Sequence, residues 1–289
     1  MKIKRLTALV LSALLILSIT ACKKDAEPAA EPVPGGAGTG ASLVSDTAPA
    51  QTEQSESAET TQPAVEPVEE YNVEVYDCFT ATQEMYGDQC DYAIPAVRVN
   101  GKELETVNAQ IWSDLYDGIY LPEVEQPLNE YGELNISVIE YKWAYSRGVL
   151  SIIADSSEYC TDGYFYKVYN ILVPEDRLIG RTEFLAAFGM TEEDFRVTVC
   201  DAVGSACWDN GEEYRKWFSD DAEVMAEEYR LLKLTAAEDN AYDCIPFVGE
   251  GEKIWFVGRI YAASGAGEYW SVIPLDYPVS AGYLEALEH

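Results

Sequence analysis

Residues 135–173 read NISVIEYKWAYSRGVLSIIADSSEYCTDGYFYKVYNILV, and this stretch decides the fold. Asn135 to Tyr145 and Gly148 to Ser156 read as paired strands, and Gly163 to Val173, rich in Tyr and Val, as a third. Upstream, Tyr71 to Thr82 alternates Val73, Val75, Cys78 and Phe79 in the manner of a strand. Tyr92 to Val99 is another, and Pro95 within it argues for a position near an edge. Asn100-Gly101 is a hairpin-turn signal. Glu103 to Tyr116 is expected to be helical, because Leu104, Val107, Ile111 and Leu115 recur every three to four residues.

Downstream the pattern turns helical. Thr182 to Phe188 predicts a short helix stopped by Gly189. Thr191-Glu-Glu-Asp194 has the form of a capping box opening the next helix. Ala222 to Leu232 is a further helix, with Val224, Met225, Tyr229 and Leu232 on one side. Two strands close the chain, Lys253 to Ala262 and Glu268 to Leu275, joined by the small residues from Ala263 to Gly267. Strands, helix, strands, helices, strands: the expected class is α+β, with mostly antiparallel sheets packed with a few helices.

The N-terminus carries a different message. Lys2, Lys4 and Arg5 precede an uncharged apolar run from Leu6 to Thr20, the layout of a secretory signal. At ~1.5 Å per residue this run reaches only ~22 Å, short of a ~30 Å hydrocarbon core. It ends Ile19-Thr20-Ala21-Cys22, which resembles the bacterial lipobox. There, small residues enter a signal-peptidase groove and the cysteine thiol accepts the lipid. The expectation is a signal peptide over 1–21, lipid attachment (diacylglycerol, palmitate) at Cys22, and a lipoprotein on the outer face of the cell membrane. Residues 22–69, rich in Ala, Pro, Glu, Thr and Ser, are too poor in large apolar groups to offset the entropy of ordering. They are expected to form a disordered acidic tether reaching ~40 Å on average. The folded module then divides into an N-terminal α+β half (70–180) and a C-terminal half (181–289).

The chain holds 19 Lys and Arg against 51 Asp and Glu, a net charge of −32. Such a surface repels phosphate, so nucleic acid is excluded as a partner. It attracts a cationic protein at long range. A wall glycan is the other candidate partner. Seven cysteines are present. With Cys22 lipidated, six stay, and outside the cytoplasm they are either disulfides or free buried thiols. Cys78 with Cys90 and Cys200 with Cys207 are the candidate local disulfides.

The order of elements resembles a known family. The stretches YAIPAVRVNGKELETVNAQIW (92–112), VLSIIADSSEYCTDGYFYKVYNILVPEDRLIGRTEFL (149–185) and KIWFVGRIYAASGAGEYWSVIPL (253–275) carry the likeness. They are similar to the extracytoplasmic domain of the lysozyme-sensing anti-sigma factor of Gram-positive bacteria. The same pair of uncharacterised domains accompanies some membrane-bound polysaccharide deacetylases. Family members often carry a Gly-Gly-Ala-His turn where this chain has Thr161-Asp162-Gly163-Tyr164. The resemblance implies fold and an extracytoplasmic, cell-envelope location. It does not imply lysozyme sensing.

The one histidine is His289, so histidine triads, Cys-His dyads and histidine metal sites have no internal residue to build them. Ser205 lacks the flanking pattern of a nucleophile elbow, and Lys102 and Lys253 lack a P-loop. No catalytic residue, metal or cofactor is expected. A calcium site from Asp155, Glu158 and Asp162 has oxygen ligands but fits no EF-hand spacing. Two-carboxylate glycan hydrolysis is the alternative function. The leading expectation is a binding or sensing module without catalysis. Its ligand-binding candidates come from the strand aromatics: Tyr164, Tyr166, Tyr269 and Trp270, among a set that also includes Tyr141, Trp143, Tyr145, Tyr169 and Tyr261.

Overall fold

The strands of residues 135–173 form the centre of a seven-stranded sheet. The computed structural model describes residues 71–85, 87–125, 136–158, 164–263 and 267–289, with the backbone alone at Met85, Glu158 and Tyr164. The expected signal peptide and tether, with Cys22, and also Cys160, lie outside the described residues.

The large sheet runs β1 (Val73–Met85), β2 (Asp88–Val99), β4 (Ile136–Ser146), β5 (Val149–Glu158), β6 (Tyr164–Leu172) and β7 (Arg177–Leu178), with β3 (Lys102–Glu103) paired to β2. All neighbours are antiparallel except β2 and β4, which meet in parallel at Tyr92 and Ile139. The class is α+β, as the element order predicts. β5 is the buried heart of this sheet. Leu150, Ile152 and Ala154 face one core, Val149, Ser151 and Ile153 face the other, and all six are buried. A strand covered on both sides has no need of polar alternation, which explains the near-continuous apolar run.

Pro95 finds its place through the β2–β4 geometry. Between Tyr92, paired to β4, and Arg98, paired to β3, that edge of β2 pairs with no strand among the described residues, and on the other side the β1 register slips between Asp77 and Phe79. A residue without an N–H fits beside such a bulge. Further along, a side chain completes the edge: Asn108 accepts from the Val97 N–H at 2.8 Å and donates to the Val97 carbonyl at 3.1 Å. Asn100 and Gly101 make the turn into β3 with φ of 51° and 78°, the left-handed pair that a tight hairpin requires.

Helix α1 (Glu105–Trp112) is shorter than expected. The chain continues over Ser113–Glu125 in the wider π winding. Val107, Ile111 and Leu115 are buried with Leu104, as their spacing implies. Trp112, Tyr116 and Tyr120 stack at 4.3 and 5.4 Å, and Phe79 stands edge-on to Tyr116 and Tyr120.

From Arg181 the chain is helical: α2 (Arg181–Ala187), α3 (Glu192–Asn210), α4 (Glu212–Phe218), α5 (Ala222–Thr235) and α6 (Glu238–Asp243). The Thr191–Asp194 capping box is formed in both directions. A three-stranded antiparallel sheet follows, β8 (Ile245–Val248), β9 (Ile254–Tyr261) and β10 (Glu268–Pro274), with β9 central, and α7 (Ala281–Leu287) ends the chain. Phe195, Val199, Ala202, Val203 and Ala206 of α3 bury against Phe256, Ile260 and Ile273 of this sheet. At roughly 1.5–3 kcal/mol for each large apolar side chain, this face holds the helical layer in place. Past β8 the edge of β9 is also completed by side chains. Thr235 Oγ1 accepts from the Tyr261 N–H at 2.9 Å, and Asn240 Nδ2 donates to the Arg259 carbonyl at 2.8 Å.

Candidate functional site

The predicted binding aromatics do not share one surface. Tyr166 and Trp270 are half-buried around Ile153, Phe247 and Val257, between the two sheets, and the Arg259 guanidinium lies 4.9 Å over the Trp270 ring. Tyr269, one residue away, points to the opposite face and packs on the helical core. Strand alternation alone separates the two. Tyr164 begins β6, and its side chain lies outside the described residues.

The candidate disulfides need correction. Cys78, Cys90, Cys200, Cys207 and Cys244 are free thiols. Cys90 pairs with Gln83, which puts it ~17 Å along the hairpin from Cys78. Cys200 and Cys207 lie seven residues apart on α3, ~10.5 Å. Both separations exceed the ~7 Å between Cα atoms that a disulfide spans. Burial pushes the Cys207 thiol up to about 11 and the Cys244 thiol up to about 12.

Of the proposed calcium ligands, Asp162 and the Glu158 side chain lie outside the described residues, and no group of three metal-binding side chains occurs among the described ones. Asp155 instead stands half-buried on β5, directly across from Glu140 of β4. Its Oδ1 has no hydrogen-bond partner among the described residues. Burial first, and then the Glu140 charge, push its carboxyl up to about 6. Ser205 is buried in α3 and accepts from the Ser280 N–H at 3.3 Å.

A concavity among the described residues lies elsewhere, at the corner of the helical layer. An open cleft of about 620 Å³ is lined by Trp208, Arg215, Lys216, Asp220, Met225 and Tyr229, with Glu212, Ser219 and Ala222 around them. Local sequence builds it. α3 breaks at Gly211, and α4 starts at once. Gly211 leaves room for the Arg215 side chain, since a Cβ there would sit 2.5 Å from Arg215 Nη1. Asp221 then caps α5, accepting from the Glu223 and Val224 N–H groups at 3.1 and 3.2 Å, and turns the chain back.

Four flat groups stack through this corner. The His289 ring lies on Tyr229 at 4.8 Å, Tyr229 on Trp208 at 5.9 Å, and the Arg215 guanidinium sits 3.6 Å over the Trp208 ring. Arg215 Nη2 donates to the Trp208 carbonyl. The residue is only 9 % exposed, and no carboxylate lies within salt-bridge distance of it among the described residues. Burial holds its pKa below the ordinary arginine value, while the more distant Glu228 works against that shift. Glu228 is itself buried, accepts from the Ala263 N–H at 3.1 Å, and has a carboxyl raised by burial. Lys216 is exposed and paired to Glu212 at 2.6 Å.

No protein-family model and no curated protein matches the chain. The cleft therefore has to be read from its own chemistry. It offers a desolvated cation, backed by aromatic planes, with most of its N–H groups uncommitted among the described residues. Strand-based ranking of aromatics overlooked Trp208, Arg215 and Tyr229. Their one sequence signal is an arginine seven residues after a tryptophan, across a glycine, in a segment otherwise crowded with acids.

Proposed function

We propose that this chain is a lipid-anchored, extracytoplasmic module that binds or senses a cell-envelope ligand without catalysis, and that the helical corner cleft is where the ligand sits. The observation that carries the reading is Arg215: a buried guanidinium without an ion pair among the described residues, opening on a cleft. Keeping such a group dry costs stability unless something compensates it, and a ligand is one such compensation. The lipobox-like run ending at Cys22 and the resemblance to the extracytoplasmic domain pair support the surface location. Among the two candidate partners, a wall glycan bearing acidic groups fits the unpaired Arg215 guanidinium better than a cationic protein does.

The test is binding of the full chain to soluble envelope glycan fragments. Saturable binding at micromolar concentration that Trp208→Ala weakens supports the reading. No saturable binding overturns it.

A second reading, carboxylate-based glycan hydrolysis, is favoured by one observation, the Glu140–Asp155 pair with one acid half dry. Release of reducing ends from envelope glycans, abolished by Asp155→Asn and by Glu140→Gln, would establish it.

A further inference from the structure

We infer that Arg215 is the receptor for an oxyanion on the ligand, a carboxylate or a phosphate, held by the open edge of its guanidinium while Trp208 supports the other side. This deepens the binding-module reading and rests on it.

Three observations carry the inference. First, arginine has five N–H donors in a planar fork, and among the described residues a single bond, to the Trp208 carbonyl, is formed. Arg215 itself lines the cleft. Second, the group is pre-oriented. The Trp208 ring at 3.6 Å and the space left by Gly211 fix the plane of the guanidinium, so little rotamer freedom is lost when an anion arrives. Third, the surrounding charges permit it. Glu212 is held by Lys216 at 2.6 Å. Glu228 stands beyond salt-bridge distance of the guanidinium and accepts from the Ala263 N–H at 3.1 Å. Asp220 lies exposed at the rim, where water screens it more than it screens the buried cation. In a chain of net charge −32, long-range repulsion opposes an anion. Recognition must therefore be short-range and charge-assisted, which a pre-set arginine fork supplies.

The ligand fitting this arrangement is a small flat or ring-shaped group carrying one oxyanion. An acidic sugar presents a carboxylate and a phosphodiester polymer presents a phosphate, and both offer paired oxygens to the fork.

Titrations of the full chain with sodium glucuronate, inorganic phosphate and glucose, followed by the Trp208 indole N–H and Arg215 Nε–H signals in NMR, test it. The expected result is saturable shifts with at least one anion and none with glucose at the same concentration. Arg215→Lys should bind that anion about tenfold more weakly, because a point charge cannot reproduce the fork. Gly211→Ala, which displaces the guanidinium and leaves every charge in place, should weaken it as well. Thermal unfolding confirms that each variant is folded, and the two variants perturb the site independently. Tighter glucuronate than phosphate identifies a carboxylate ligand, and the reverse identifies a phosphate. Anion affinity unchanged in both variants, or glucose binding as well as glucuronate, overturns the inference. Envelope fragments that bind wild type and Arg215→Lys equally overturn the oxyanion role and leave the module standing. Fragments and anions that both fail to bind overturn the two together.

Discussion

Ser151 and Asn170 stand directly opposite each other on β5 and β6, and the Ser151 hydroxyl donates to Asn170 Oδ1 at 2.6 Å. Both are buried, and both reach out of their own sheet. Asn170 Nδ2 donates to the Pro246 carbonyl at 2.8 Å, and Ser151 Oγ accepts from the Val248 N–H at 2.9 Å. Two polar side chains of the large sheet thus satisfy the backbone of β8 in the small one. Ser151→Ala leaves the Val248 N–H and Asn170 Oδ1 without partners in a dry interior. The expected loss is ~2–3 kcal/mol, read as a lower urea midpoint. The double change with Asn170→Ala should cost clearly less than the sum of the singles, because they share one network. Strict additivity would count against it.

Asp155 should make the protein less stable as pH rises. Its folded carboxyl is pushed up to about 6, above the ordinary 3.8, so between those values the folded state holds the proton more tightly than the unfolded chain does. Stability from this group is full below about pH 4 and is lost as pH rises through about 6. Asp155→Asn, which does not titrate, is expected to be more stable than wild type at pH 7.5. Because the group is half exposed, the gain should be only ~1 kcal/mol after allowing for solvent screening. The advantage should fade on acidification, and an advantage independent of pH would refute the assignment.

The thiols should react in order of burial. Alkylation at pH 7.5 followed by peptide mapping is expected to modify Cys78, the exposed one, first. Cys207 and Cys244, buried and with raised pKa, should stay unmodified until the protein is denatured. A reductant should change nothing at these five positions, and new label at Cys200 and Cys207 only after reduction would restore the disulfide.

Asn108→Ala is predicted to destabilise the fold by ~1–3 kcal/mol through a single lost partner. Its amide serves the Val97 N–H and carbonyl and Glu103 Oε2; Leu104 N–H still reaches that carbonyl at 3.1 Å, and Tyr76 still donates to Glu103 Oε2 at 2.9 Å. The Val97 N–H alone is orphaned. Hydrogen exchange should therefore quicken selectively at Val97. Uniform quickening across β2 would mean that the amide does something else.

Much of the architecture was legible from local chemistry. The β5 run, the Asn100-Gly101 turn, the Thr191–Asp194 cap and the apolar spacing from Leu104 to Leu115 are each set by near neighbours, and each formed. The misses have physical causes. β8 is four residues long with a proline in it, too short to show a period, and it exists because Ser151 and Asn170 receive its backbone. The π winding after Trp112 runs on through Gly118 and Pro122, residues that argue against a helix when read locally. Cysteine spacing suggested local bridges, while strand register and helix pitch set the distances apart. The corner cleft was illegible for a deeper reason. Trp208, Arg215 and Tyr229 belong to three helices, and only long-range packing brings them into one stack.

The side chains that finish the strands also govern how copies of the protein meet. An unpaired strand edge is a template on which another chain can add a strand, and growth from it leads to fibres. At Val97 the template is already filled by Asn108, and at Arg259 and Tyr261 by Asn240 and Thr235. The long outer strand β1 carries Glu74, Asp77 and Glu84 along its length. Molecules packed densely side by side therefore meet backbone already occupied at Val97, Arg259 and Tyr261, and a row of carboxylates along β1.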